Sequence, residues 1–256
     1  MLRKRIIFTL IYADGFFYQS RNFRLQRVGD VNWLENNYKF REIAFSLDEL
    51  IVLNASKKEK DIVEFSKTLS RIVDDVFIPI AVGGGIRSLE DAKILFENGA
   101  DKIVLNSVLF ENKELVEQLV RKYGAQSIVA SIDYKKNEEK YEVYINDGST
   151  RLDISLQEYI NYILTLNVGE VYLNSIDRDG TGFGYELGGL ESIVKHLTIP
   201  LIIAGGAGNE KHLIEGLQRE YISAVATANL FNFIGDGLPK ARKKILENKQ
   251  NIASWL

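Results

Sequence analysis

Eight short apolar runs recur along the chain, roughly Arg5 to Ile11, Glu49 to Asn54, Ile78 to Val82, Lys102 to Asn106, Ser127 to Asp133, Val171 to Ser175, Pro200 to Ala204 and Ala224 to Ala228. They are rich in Ile, Val and Leu, and polar residues do not alternate strictly within them. Strands that bury both faces read this way, as in a parallel sheet covered by helices. The stretches between them carry helical patterns with end signals. Ser88-Leu89-Glu90-Asp91 predicts a helix start, Asn98-Gly99 its stop, and Asn209 the start of a matching helix further on. Strands alternating with helices predict βαβ units.

The pattern is duplicated. Ile78-Pro79-Ile80-Ala81-Val82-Gly83-Gly84-Gly85 lines up with Ile199-Pro200-Leu201-Ile202-Ile203-Ala204-Gly205-Gly206, 121 residues later. The register continues without a gap to Leu109-Phe110 against Leu230-Phe231, and Glu49 meets Glu170 at the same displacement. With one residue of drift, Ile6-Ile7 aligns with Ile128-Val129 and Ile11-Tyr12 with Asp133-Tyr134. Eight units with internal twofold repetition predict an α/β fold, a closed (β/α)8 TIM barrel. It is one domain over residues 1–256, with half-barrels of about 1–122 and 123–256. The length suits such a barrel, which typically needs about 250 residues.

Composition narrows the function classes. A hydrophobic content of 46% is ordinary for a globular fold, and a net charge of −3 points to neither a nucleic-acid polymer nor a membrane surface as partner. Lys57-Lys58-Glu59-Lys60 and Lys135-Lys136 read as solvated loops. The absence of cysteine excludes disulfides, thiolate metal sites and cysteine nucleophiles. MLRKRIIFTLIYADG has an apolar stretch too short to span a membrane and no small-residue cleavage site, so a cytoplasmic location is expected. No Ser–His or metal-ligand constellation is visible, so neither metal nor cofactor is expected.

Candidate chemistry gathers at strand ends. Gly83-Gly84-Gly85 and Gly205-Gly206-Ala207-Gly208 each follow a buried strand and precede a helix. Glycine lets backbone N–H groups approach a phosphate, and a helix N-terminus favours an anion. A purely structural turn is the plain alternative, but each cluster is followed about twenty residues on by a small polar strand end, Asn106-Ser107 and Ala228-Asn229. Two phosphate sites, and a ligand with two phosphates, are therefore expected. Asp133 ends strand five on the face where barrel enzymes place their chemistry, and reads as a catalytic carboxylate or a cap. Asp177-Arg178-Asp179-Gly180-Thr181 reads as a substrate loop on the same face, with Asp179 and Gly180 as ligand residues. His196 and His212 are placed on helices, at the surface. At the opposite face, Arg5, Glu49, Lys102 and Glu170 start strands one, two, four and six and can close a ring of ion pairs, either as a stabilising device or as a gate.

RIIFTLIYADG, IPIAVGGGIRSLEDA, GADKIVLNS, VASIDYK, SIDRDGTGFGY and IPLIIAGGAGN together resemble the cyclase subunit of imidazole glycerol phosphate synthase over essentially the whole chain. The resemblance implies a lyase or cyclase barrel of histidine biosynthesis. A glutaminase subunit docks at the N-terminal face and releases ammonia, which passes a gate and meets a bis-phosphorylated ribonucleotide at the other face. Arg5, Glu49, Lys102 and Glu170 match the family's gate, and Asp101 matches a position at the glutaminase interface. The departures lie at the top. Of the two carboxylates that do the acid–base work, Asp133 is present and the strand-one member is replaced by Ile11. Gln19 stands where a substrate-contacting lysine is usual, Asn54 where an aspartate is, and Asn229 where a phosphate-binding serine is.

Gln26-Arg27-Val28-Gly29-Asp30-Val31-Asn32-Trp33-Leu34 further resembles a divergent branch found with surface-polysaccharide genes and acetamidino sugars. That implies ammonia supply to a separate sugar amidotransferase as a further partner. The alternatives are an authentic cyclase using Asp133 and Asp179, an isomerase of the sister family (which also needs a carboxylate at Ile11), and a non-catalytic phosphate-sensing activator of a glutaminase.

Overall fold

A computed structural model describes residues 3–38, 40–57 and 60–254. Its strands are β1 (Arg5–Ala13), β2 (Phe16–Arg21), β3 (Arg24–Gly29), β4 (Glu49–Asn54), β5 (Ile80–Gly83), β6 (Lys102–Leu105), β7 (Ile128–Asn137), β8 (Lys140–Ile145), β9 (Thr150–Ser155), β10 (Glu170–Ser175), β11 (Leu201–Ala204) and β12 (Ala224–Thr227). Eight of them, β1, β4, β5, β6, β7, β10, β11 and β12, pair in parallel in that order, and β12 returns to β1. The sheet is closed, with helices between successive strands: the (β/α)8 barrel that the alternation predicts.

Side chains alternate across the barrel wall with the period of two that strands impose. On β1, Ile6, Phe8 and Leu10 point outward into the layer shared with the helices, while Ile7 packs in the bore with Ile51, Ala81, Val104, Val129 and Ile202. Both faces are buried, which is why the runs lack strict alternation. The sequence duplication is a structural one: β4 and β10, and β5 and β11, are equivalent at the displacement of 121. The helix Leu89–Glu97 is capped by Ser88 Oγ on the N–H of Asp91, and the helix Glu210–Leu217 by Asn209. Gly99, at φ 97°, ends the first of these in a conformation that suits glycine.

Two features differ from expectation. Each half carries an antiparallel excursion after its first strand: β1 runs into β2 and β3, and β7 runs into β8 and β9. The turn of the first excursion places Asn22 and Phe23 both at positive φ, 51° and 62°, as a tight hairpin turn demands. Lys135 and Lys136 lie on the extended end of β7 rather than in a loop, with the Lys135 ammonium 4.5 Å from the Tyr144 ring centroid. The first lysine run is a loop where it is described: Lys57 is exposed and Lys60 pairs with Asp147 at 2.9 Å, while Lys58 and Glu59 lie outside the described residues.

Gly84 has φ 94°, and a Cβ there would overlap the carbonyl oxygen of Asn54, whereas Gly15 at φ 86° has open space around it. Gly84→Ala is expected to cost about 3 kcal/mol or more in urea unfolding, and Gly15→Ala about 1–2 kcal/mol. Equal costs would contradict the close approach of the two backbones.

An ionic floor and a polar mouth in one barrel

The four charges at the strand beginnings meet at the N-terminal end of the bore. Arg5 Nη1 donates to Glu49 Oε2 at 2.6 Å and Arg5 Nη2 pairs with Glu170 Oε1. Lys102 Nζ bridges Glu49 Oε1 at 2.9 Å and Glu170 Oε2 at 3.2 Å. Two cations and two carboxylates thus alternate around a closed ring. Both glutamates are buried, while Arg5 and Lys102 retain about a quarter of their exposure or less, 24% and 21%. Burial pushes the Glu49 carboxyl upward, against the opposing pull of Lys102 and Arg5. Burial also works against the charged Arg5, but its contacts with Glu170 and Glu49 outweigh it and hold the guanidinium more firmly protonated. Asp101, just before β6, is exposed at this face, and its Oδ2 accepts the N–H of Ile80 at 2.8 Å.

Above the ring, the bore is lined by aliphatic and small side chains, among them Ala81, Ala224 and Ala226. One polar contact crosses it: Thr9 Oγ1 and Tyr172 Oη lie 3.2 Å apart, both buried. They form the floor of an open mouth of about 1140 Å³ at the C-terminal face, where Ile11, Gln19, Asn54, Asp133, Asp179 and both glycine turns converge.

Asp133 is the buried carboxylate at the centre of that mouth. Its Oδ2 accepts from Asn106 and its Oδ1 from Asn174, each at 3.1 Å. Asn174 sits opposite Asp133 in the parallel register of β10 on β7. Burial dominates and raises the Asp133 carboxyl to about 7; nearby Asp147 and Asp179 add to the rise, and the two amide donors oppose it. Asp133 is therefore poised to exchange a proton near neutral pH. Ile11, lining the same mouth, brings a hydrocarbon that exchanges none.

The second buried carboxylate of the mouth is engaged elsewhere. Asp179 Oδ2 accepts from Ser20 Oγ and from the N–H of Phe23 at 3.0 Å, and its carbonyl accepts the N–H of Asn22 at 3.0 Å. It pins the β2–β3 hairpin across the mouth. Gly180 makes the close approach possible, since a Cβ there would overlap Ser20 O. Burial raises the Asp179 carboxyl, with Ser20 and Phe23 pulling the other way. Asn54 is buried, and its Oδ1 accepts the N–H of Ser56 at 3.1 Å. Among the described residues, no cluster of three or more His, Cys, Asp or Glu is arranged to hold a metal ion.

Comparison with known proteins agrees with this geometry. Residues 27–235 match the family described as "Histidine biosynthesis protein". The protein named "Putative imidazole glycerol phosphate synthase subunit hisF2" of Parasynechococcus marenigrum (strain WH8102) is 46% identical over 256 residues, covering 100% of this chain and 95% of the relative. "Imidazole glycerol phosphate synthase subunit HisF" of Hydrogenobaculum sp. (strain Y04AAS1) is 35% identical over 257 residues, 98% of this chain and 99% of the relative. The subunit of that name from Pyrobaculum aerophilum is 39% identical over 220 residues, 86% of this chain and 85% of the relative. The chain belongs to the HisF-like family.

Within this HisF-like barrel, the expected site residues divide between the floor and the mouth. Arg5, Glu49, Lys102 and Glu170 share the floor. Gly84, Gly85, Asn106, Ser107, Asp133, Asp179, Gly180, Gly205, Gly206, Ala228 and Asn229 all line the mouth, while Gly83 belongs to β5 beneath it. The Asn106 side chain is committed to Asp133 and the carbonyl of Ser131. The histidines depart from expectation. His196 is exposed but lies in a turn past the helix Leu190–Val194. His212 is on a helix but half-buried: its Nδ1 accepts the N–H of Gly208 at 3.2 Å, so it shapes the second glycine turn. Asn174, Tyr172, Thr9 and Ser20 are additions that the motifs did not single out. The signal for Asn174 was its place in register with Asp133 on the adjacent strand.

The folded chain holds the Asp133 proton more tightly than an unfolded chain, whose carboxyl titrates near 3.9. The contribution of this residue to stability is therefore complete below pH about 4 and is lost as pH rises through about 7. Asp133→Asn removes that dependence. Its unfolding free energy relative to the parent is expected to rise by roughly 2–4 kcal/mol between pH 4 and pH 8 in urea titrations. A difference that stays flat with pH would contradict the buried, proton-holding carboxyl.

Proposed function

We propose that this chain is the ammonia-receiving barrel of a glutamine-dependent amidotransferase complex whose acceptor chemistry differs from ring closure on the family's ribonucleotide. The observation that carries this reading is one contrast within a single barrel. The ionic ring at the floor is complete, while the position that should oppose Asp133 at the mouth is Ile11. Four charges placed in a bore are costly to desolvate, and that cost is hard to explain by stability alone.

In this reading a glutaminase docks on the N-terminal face. Phe45 and Phe77, 67% and 76% exposed, precede β4 and β5 at that face and offer the aromatic anchors that protein interfaces favour. Asp101 stands at the same face. Lys102 is the movable member of the ring, a single ammonium on a flexible stem, whereas Arg5 is tied by its planar fork to both glutamates. Ammonia released below passes as Lys102 swings, travels up the small-residue bore and reaches the mouth beside Asp133. There the two glycine turns with Ser107 and Asn229 face a phosphorylated small-molecule ligand. Asp133 takes or gives one proton; without a second acid–base group at position 11, the paired transfer of the family's cyclase is lost, a loss on the order of 10²–10⁴-fold.

The nitrogen is then passed to a separate acceptor enzyme, in this reading a sugar amidotransferase of acetamidino-sugar synthesis for surface polysaccharide. The Gln26–Leu34 segment and a relative whose name carries "hisF2" support a divergent branch. The cytoplasm is the matching compartment, and none of the described helices is long and apolar enough to cross a membrane. The second reading is an authentic cyclase subunit working with Asp133 and Asp179. It is favoured by the raised carboxyls of both residues. The hold of Ser20 and Phe23 on Asp179 counts against it.

Mixing the purified chain with its cognate glutaminase is expected to give a stable complex and faster glutamine hydrolysis, and the finding of neither would remove the proposal. Phe77→Glu should weaken that complex by about 2 kcal/mol, roughly 30-fold, while leaving the isolated barrel folded. Lys102→Ala should preserve complex formation but let ammonia escape to solvent instead of reaching the acceptor. Undiminished transfer from glutamine in that variant would reduce the ring to a structural device.

A further inference from the structure

A second polar contact bridges the bore above the ionic floor. Thr9 Oγ1 and Tyr172 Oη, 3.2 Å apart, join β1 to β10, which stand three places apart in the sheet order β10-β11-β12-β1. A contact between strands so placed crosses the barrel instead of following its wall. Both side chains are almost inaccessible, at 2% and 3% exposure. Among the described residues of the bore cluster, Tyr172 carries the one aromatic ring, and it shares that cluster with the small side chains of Ala81, Ala204, Ala224 and Ala226.

The mouth ends at this contact. Thr9 and Tyr172 line it, whereas Ile7, Ile51, Ala81, Val129, Ile202 and Ala224, which share the bore cluster with Tyr172, do not. A molecule moving from floor to mouth therefore has to pass the Tyr172 side chain. The two contacts differ in kind. The floor is a ring of four paired charges. The upper contact is neutral: burial pushes the Tyr172 phenol upward from its ordinary range, against the pull of Thr9, so it keeps its proton. A neutral hydrogen bond is weaker than a charge-assisted one and opens more readily. Once open, the phenol O–H and Thr9 Oγ1 offer a donor and an acceptor to whatever passes. Ammonia has a lone pair for the first and an N–H for the second. Ammonium has no lone pair, and the aliphatic side chains below disfavour its charge.

The geometry points to Tyr172, latched by Thr9, as a second closure of the bore: a movable plug between the ionic floor and the mouth. A small neutral molecule passes it when the Tyr172 hydroxyl leaves Thr9. This rests on the ammonia reading for its cargo and deepens it, since the conduit then has a closure at each end instead of one.

The chain has no cysteine, so an introduced thiol reports alone. Ala81 is fully buried and pairs with Lys102 in the register of β5 on β6, between the floor and the plug. The full-length Ala81→Cys chain is treated with methyl methanethiosulfonate, a small neutral reagent, and its labelling rate is read by mass spectrometry. Labelling should be slow. Thr9→Val keeps the shape of that side chain but removes its hydroxyl, and should speed labelling about tenfold, the effect of one lost hydrogen bond. Tyr172→Leu, which removes the ring, should speed it at least as much. Ala92→Cys puts an equally buried thiol in the outer layer, on the helix Leu89–Glu97, and its rate should not change in either background. That control separates opening of the bore from loosening of the whole fold. Where Ala81→Cys fails to fold, Ala224→Cys in the same cluster takes its place. Rates in the bore that ignore both changes overturn the proposal, as do rates that rise equally at Ala92→Cys or a parent thiol that labels as fast as an exposed one. The labelling needs no partner. The expected rates beside a glutaminase that neither binds nor speeds up would therefore remove the ammonia reading and keep the plug.

Discussion

Four charged side chains closed into a ring inside a barrel set the terms for the rest of this structure. Ion pairs in a low-dielectric bore repay their desolvation only if every partner is in place, and loss of one member typically costs about 3–5 kcal/mol. Arg5, Glu49, Lys102 and Glu170 meet that condition because each begins a strand, and strand beginnings in a closed parallel barrel lie in one plane. The duplication supplies the two glutamates as equivalents of each other, from β4 and β10. The four partners meet across the N-terminal end of the bore. The aliphatic and small side chains directly above it keep the bore apolar up to the Thr9–Tyr172 contact.

The mouth obeys a different logic. Its central buried carboxylate, Asp133, accepts from the amides of Asn106 and Asn174 and is raised by burial to about 7. Its other buried carboxylate, Asp179, serves the hairpin that covers the site. Ile11 adds no titratable group to that mouth. The floor pairs its charges among themselves, while the rim commits much of its polar inventory to holding a cover in place.

Much of this was legible in the sequence, for physical reasons. Buried parallel strands give apolar runs, and a duplicated barrel repeats them, so all eight barrel strands, both glycine turns and the floor charges could be placed by position alone. The antiparallel excursions were only partly legible. Asp14-Gly15 and Asp147-Gly148 are hairpin signals, but the Asn22-Phe23 turn carries none, and Lys135-Lys136 looks like a loop when read without its partner strand. Asn174 and the hydrogen-bonding roles of Gln19 and His212 escaped for a related reason. Each acts through a hydrogen bond to a residue distant in sequence or to a backbone N–H, and a polar side chain does not announce its partner. Only the register of β10 on β7 tells which amide faces Asp133.

The most direct measurement is turnover of the family's bis-phosphorylated ribonucleotide by the purified barrel supplied with ammonium salts, which bypasses the floor and interrogates the mouth alone. With Ile11 lining the mouth beside Asp133, ring closure should run roughly 10²–10⁴-fold or more below that of an ordinary cyclase, in a preparation that still accelerates its glutaminase. Robust formation of the imidazole product would contradict the account and restore the ordinary cyclase chemistry to this barrel.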